Sequence, residues 1–141
     1  MFLFDADAIS ESFRARPLPR YLAWLENIPA EEQFTSAIVV GELYRGAFRS
    51  QARDRHLANI ENRVLPEMTI LPFDEDVARV FGELAAALEL AGKILATADL
   101  QIAATAVHHG LDLVTGNIRH FDRVPDLRIN LILADARTEG A

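Results

Sequence analysis

Short apolar runs alternate along the chain with stretches whose hydrophobic positions recur at helical spacing. Met1 to Phe4 is too short and too apolar for an exposed helix and predicts a buried strand that ends on Asp5. Ala8 to Ala15 predicts a short helix before the break at Pro17 and Pro19, and Arg20 to Asn27 a second, with Leu22, Trp24 and Leu25 as its apolar residues. After a connection at Pro29, Glu31 and Glu32, Phe34 to Ala37 predicts a strand. From Ile38 a helix runs through Val39, Val40, Leu43, Tyr44 and Ala47 and carries Glu42 near its start. Arg53 to Val64 predicts another amphipathic helix, ended by Pro66, and Met68 to Leu71 a strand closed by Pro72. Asp74 is placed to cap the next helix, whose apolar stripe is Val77, Val80, Phe81, Leu84 and Leu88 and whose stop is Gly92. Thr97 is placed to cap a further helix, closed by Gly110, in which Leu100, Ala103, Ala104 and Val107 form the buried stripe. Leu111 to Thr115 predicts a strand, Phe121 to Pro125 an irregular return, and Ile129 to Leu133 a last strand, leaving 134–141 as a small, polar, frayed tail.

Short strands that recur with helices between them predict an α/β fold with a parallel sheet covered on both faces. The length of 141 residues, half of them hydrophobic, suits one domain, here residues 1–133, with a tail over 134–141.

Composition narrows the chemistry. There is no cysteine, so disulfides, thiolate metal sites and a cysteine nucleophile are excluded, and any metal must be held by oxygen or imidazole. No apolar run approaches the roughly 20 residues of a membrane span, and no basic stretch precedes an apolar region at the N-terminus. A soluble, cytoplasmic protein with no membrane partner is the expectation. The net charge of −7 gives no general attraction to nucleic acid, so an enzyme acting on it needs local help. Lys93 is the sole lysine, and arginines cluster at Arg45, Arg49, Arg53 and Arg55. Arginine suits bidentate contact with phosphate or carboxylate, although for any single arginine there a solvated helix face paired with nearby acids is the favoured reading.

Four acids stand where the sheet would bring elements together: Asp5 and Asp7 after the first strand, Glu42 on one helix, and Asp99 in the first turn of another. In open α/β sheets the ligand crevice lies beyond the carboxyl ends of the strands, which places Asp5 for chemistry. Asp5 and Asp7 also suit a turn or a helix cap. Asp99 is favoured by the positive end of its helix, by about 0.3 to 1 kcal/mol. Glu42 can pair with Arg45 for about 0.2 to 0.5 kcal/mol. These local roles do not explain why Glu42 lies within Val-Val-Gly-Glu-Leu-Tyr-Arg-Gly-Ala, or Asp99 within Ala-Thr-Ala-Asp-Leu-Gln-Ile-Ala-Ala, segments otherwise suited to burial. Carboxylates gathered in partly buried space repel one another and lose hydration, and a divalent cation is the natural counter-charge. Magnesium and manganese prefer oxygen ligands and retain waters.

The combination of Leu3-Phe4-Asp5-Ala6-Asp7-Ala8-Ile9-Ser10, Gly41-Glu42-Leu43-Tyr44-Arg45-Gly46, Ala98-Asp99-Leu100-Gln101-Ile102-Ala103-Ala104 and Val114-Thr115-Gly116-Asn117 with His120-Phe121 resembles the PIN-domain ribonucleases, in particular the VapC-type toxins of toxin–antitoxin pairs. The resemblance covers nearly the whole chain in the right order. It implies a three-layer α/β/α fold with a central parallel sheet of four to five strands. The activity implied is that of a Mg2+-dependent endoribonuclease, with Mn2+ as substitute, acting on an RNA substrate. The implied assembly is a homodimer inhibited by a cognate antitoxin protein, which reaches operator DNA only through the antitoxin complex. By the same resemblance Asp5, Glu42 and Asp99 match the metal-binding acids, and Thr115 and Asn117 the polar pair beside them.

Two departures stand out. Asp7 occupies a position where the family often has asparagine, adding negative charge that would adjust metal affinity. His120 replaces a fourth acid; it can ligate manganese, contact phosphate when protonated, pack, or make a hydrogen bond, the last two being favoured, and Asp122 nearby does not align with the missing acid. The mechanism expected is metal-assisted phosphodiester hydrolysis, with Arg45 and Arg49 as candidates for contact with the RNA backbone. Two rivals differ in class. One is a phosphatase resembling the haloacid-dehalogenase type, using Asp5 as nucleophile and Asp7 as acid. The other is a non-catalytic PIN-like binding protein.

Overall fold

The computed structural model describes residues 1–140. Five parallel strands form one sheet among them: β1 (Phe2–Phe4), β2 (Gln33–Ser36), β3 (Thr69–Leu71), β4 (Asp112–Val114) and β5 (Ile129–Asn130), in the order β3-β2-β1-β4-β5. The first strand is central, with Phe2 opposite Gln33 on one side and opposite Asp112 on the other. The strand order reverses at β1, so the crevice beyond the carboxyl ends of β1 and β4 is the place where such a sheet binds ligands.

Among the described residues eight α-helices cover the sheet: α1 (Ala6–Ser12), α2 (Pro19–Glu26), α3 (Ala37–Arg49), α4 (Arg53–Asn59), α5 (Glu75–Leu90), α6 (Thr97–His109), α7 (Ile118–Phe121) and α8 (Ile132–Gly140). Helix α3 touches α1, α4 and α6, while α2 packs on α8. The three-layer α/β/α arrangement is the one expected. Leu3, Phe4, Leu113 and Val114 are completely buried, as strands covered on both faces require. Tyr21 and Trp24 join this core: Tyr21 is buried and donates its hydroxyl proton to the Ala8 carbonyl at 2.9 Å, and Trp24 packs edge-on to Phe2 at 5.2 Å. Phe48, by contrast, is exposed, and stacks on Tyr44.

Several local expectations change. Helix α1 begins at Ala6, capped by Asp5, and α2 begins at Pro19, whose fixed φ suits a first helical position. Asp74 caps α5 by accepting from Val77 N–H at 3.1 Å, but Thr97 does not cap α6; it is already the first helical residue, after Ala96. The helix expected over Arg53–Val64 is α4 followed by a π-turn at Ile60–Val64. The largest correction lies at the end of the chain. The last strand stops at Asn130, whose side chain accepts from Ile132 N–H at 2.9 Å and starts α8. The segment expected to fray is therefore helical through Gly140, because Leu133 and Ala136, three residues apart, are buried on one face. Ala141 lies outside the described residues.

Candidate active site

Each acid of the site is delivered by the end of a regular element. Asp5 follows β1 directly and is 6% exposed. Its Oδ1 accepts from Ala8 N–H at 2.8 Å, so capping α1 and facing the crevice are the same placement. Ser36, closing β2, caps α3 by accepting from Val39 N–H at 3.1 Å, which sets Glu42 on the second turn. Asp99 stands in the first turn of α6. Strand β4 ends at Val114, so Thr115, Gly116 and Asn117 form the loop beside Asp5.

These segments meet around a polar cleft of about 380 Å³ lined by Asp5, Asp7, Glu42, Asp99, Asn117 and Arg137, among others. Acids separated by up to 94 positions in sequence thus share one space. Burial raises the Asp5 carboxyl to about 7; hydrogen bonds from Thr115 and Ala8 oppose the shift, and the charges of Asp7 and Glu42 add to it. Burial likewise raises Glu42, with the charge of Asp99 adding to the rise and Arg45 countering it. Thr115 is buried and its hydroxyl oxygen accepts from Asn117 N–H at 3.0 Å, which fixes the loop. His120 Nδ1 lies 2.8 Å from Asn117 Nδ2 and 3.5 Å from Asp99 Oδ2, so His120 makes polar contacts rather than packing. Arg45 is exposed and acts on Glu42 through its charge, while Arg49, at the end of α3, is exposed and outside the cleft lining.

The donor set fits a hard divalent cation in chemistry: it is carboxylate oxygen, and the carboxylates hold one another's pKa values up. Among the described residues no three acidic or histidine side chains close into a compact ligand cage.

Asp7 is the acid whose environment the sequence does not disclose. Arg137, from α8, donates Nη1–H to Asp7 Oδ2 and Nη2–H to Asp7 Oδ1, both at 2.7 Å. Asp7 therefore does not add an uncompensated charge to the cleft. Arg137 Nη2 also reaches Glu11 at 3.4 Å; Glu11 is buried and accepts from Leu18 N–H at 3.2 Å. Neither Glu11 nor Arg137 is legible in the sequence as part of the site, because a partner 130 positions from Asp7 leaves no local pattern. The one available signal is an acid, Glu11, on the apolar side of α1.

Beside the cleft, and sharing Ala6 and Glu42 with it, a wider and more apolar groove of about 640 Å³ runs between α1, α3 and α4, past Phe13, Leu43, Ala47 and Ile60.

Comparison with known proteins agrees with this geometry. The PIN domain matches residues 2–127. Toxin FitB of Neisseria gonorrhoeae is 36% identical over 126 residues, covering 86% of this chain and 91% of that protein. VapC ribonuclease Y4jK of Sinorhizobium fredii is 36% identical over 127 residues, with 86% and 91% covered. The crystal structure of VapBC2 from Rickettsia felis bound to a DNA fragment from their promoter superposes with a TM-score of 0.82 at 27% identity, covering 92% of this chain and 96% of that one.

Proposed function

Because the chain belongs to the PIN-domain family, we propose that it is a divalent-metal-dependent endoribonuclease, the toxin of a toxin–antitoxin pair, with Asp5, Glu42 and Asp99 as its catalytic acids. The observation that carries this reading is the convergence of those three acids, from three separate elements, on one polar cleft at the carboxyl end of the central strand. The names of the relatives, a toxin and a ribonuclease, support the substrate and the biological role.

Asp5, Glu42 and Asp99 would hold Mg2+ or Mn2+, in part through water. When bound, the cation supplies charge neutralisation and Lewis acidity toward a phosphodiester. The chain supplies position. Ala8 N–H and Thr115 fix Asp5, so the carboxylate turns little when substrate arrives. Asn117 spends one amide hydrogen on His120 Nδ1 and keeps the other for a phosphate oxygen. Arg45 and Arg49 offer exposed guanidinium groups along α3 for RNA backbone outside the cleft. No covalent intermediate is required.

The protein works in the cytoplasm as a homodimer; among the described residues no helix is long and apolar enough to cross a membrane. The exposed Phe48 is available to an interface. The apolar groove that opens beside Glu42 suits an antitoxin segment, and operator DNA is reached through that antitoxin, in keeping with the promoter-bound complex from Rickettsia felis. The phosphatase alternative loses its proton donor, because both oxygens of Asp7 are taken by Arg137.

The test is cleavage of a structured RNA mixture by the purified protein with magnesium, manganese or chelator, beside a small phosphate ester. RNA cleavage abolished by chelator is the expected result. Hydrolysis of the ester alone would identify a phosphatase, and inertness toward both a binding protein.

A further inference from the structure

We propose that Arg137 is a positioning residue of this site, acting through Asp7: it neutralises the one cleft acid that is not needed as a ligand, and so lets a phosphodiester approach. The inference rests on the ribonuclease reading. Three observations carry it. First, the Arg137 and Asp7 side chains meet in a two-point ion pair, with both contacts at 2.7 Å, and both residues line the cleft. This fork-to-carboxylate geometry is the form in which an arginine fixes an anion in orientation as well as in charge.

Second, the loop carrying Thr115 and Asn117 is shaped around this pair. A Cβ built on Gly116 would fall inside van der Waals contact of Arg137 Nη1, 2.6 Å from Asp7 Oδ2 and 3.0 Å from Arg137 Cζ. Gly116 has an ordinary negative φ, so its lack of a side chain serves space rather than backbone conformation. The guanidinium lies against the loop at the one residue between Thr115 and Asn117.

Third, α8 is anchored so that Arg137 has a fixed origin. Leu133 and Ala136 are buried, Arg20 of α2 pairs with Glu139, and Arg137 Nη2 is also turned toward the buried Glu11. The last helix thus contributes a cation to a cleft whose other ionisable lining groups, Asp5, Asp7, Glu42 and Asp99, are all acids. Without Arg137, Asp7 would present a bare carboxylate beside Asp5 to an incoming phosphate.

Steady-state cleavage of a defined RNA, with melting curves for every protein, tests the proposal in wild type, Arg137→Gln, Arg137→Gln/Asp7→Asn and Gly116→Ala. Arg137→Gln should raise KM about tenfold with kcat changed less than about threefold, the effect expected of one uncompensated charge facing the phosphate. Replacing Asp7 by asparagine in the same chain should return KM to near the wild-type value. Gly116→Ala, whose methyl group pushes on both the Arg137 guanidinium and the Asp7 carboxylate and so breaks the pair, should raise KM in the same way while keeping most of the melting temperature. A KM defect that Asp7→Asn does not repair would make Arg137 a direct RNA contact and overturn the proposal. So would an Arg137→Gln protein with a lowered melting temperature and wild-type KM, which would make the ion pair a structural tie alone. If wild type itself fails to cleave RNA, the ribonuclease reading falls and not this inference alone.

Discussion

His120 Nδ1 stands 3.5 Å from Asp99 Oδ2, at the place where the family resemblance leads to the expectation of a fourth acid. The ring is half exposed and its Nδ1 accepts from the Asn117 amide, so it orients the Asn117 side chain beside Asp99 rather than completing an acid quartet. His120→Ala should lower kcat/KM by about tenfold, the size typical of a group that supports a ligand, while Asp99→Asn should abolish cleavage. His120→Asp should reduce the manganese concentration needed for half-maximal cleavage. Metal titrations of RNA cleavage check all three.

The raised Asp5 carboxyl makes stability depend on pH. Its ordinary value is 3.8 and its folded value about 7. Between those values the folded chain keeps a proton that the unfolded chain releases, so native stability falls as pH rises from about 4 through 7. Asp5→Asn keeps a cap for Ala8 N–H but removes the charge. With chelator present, its melting temperature should exceed that of wild type by about 5–10 °C at pH 8 and match it near pH 4. Equal melting temperatures at pH 8 would contradict the buried, uncompensated carboxylate.

Tyr21 offers a change that leaves the cleft untouched. Tyr21→Phe removes the hydroxyl that donates to the Ala8 carbonyl at 2.9 Å and should cost about 1 kcal/mol, lowering the melting temperature by about 3–5 °C. Cleavage below that temperature should be unchanged. Thermal denaturation alongside kinetics reads both.

Arg45 and Arg49 should act on RNA through charge. Substituting both by alanine should raise KM and flatten the dependence of binding on salt, by about 0.7 in log–log slope for each phosphate of a single strand that the arginines had neutralised. Arg45 also counters the rise in the Glu42 pKa, so Arg45→Ala should disturb kcat more than Arg49→Ala does. Binding measured across a salt series, together with kcat for the single variants, separates the two arginines.

What the sequence discloses follows from how locally each signal is written. The apolar runs at Met1–Phe4, Met68–Leu71 and Leu111–Thr115 announce strands because a parallel sheet covered on both faces needs no polar alternation, and of these β1 and β4 are buried while β3, at the sheet edge, is only half-buried. Glu42 and Asp99 are conspicuous because each interrupts a helical face otherwise suited to burial, and the cleft brings them together with Asp5. Helix α8 is hidden because Ala134 to Ala141 is small and polar, and the helix draws its stability from Leu133 and Ala136 seated on distant elements. With α8 goes Arg137, and with Arg137 the partner of Asp7. A charge whose counterpart lies 130 positions away reads as excess charge until the fold is known.

The central claim is that Asp5, Glu42 and Asp99 form one metal-dependent site for RNA cleavage. The most direct measurement follows cleavage of a structured RNA mixture by wild type and Glu42→Gln in magnesium, with manganese binding to each protein measured by calorimetry. Wild type should cleave and bind the ion, and Glu42→Gln should lose at least about a hundredfold in cleavage and bind manganese more weakly while remaining folded. Undiminished cleavage by Glu42→Gln, or manganese affinity equal in the two proteins, would contradict it.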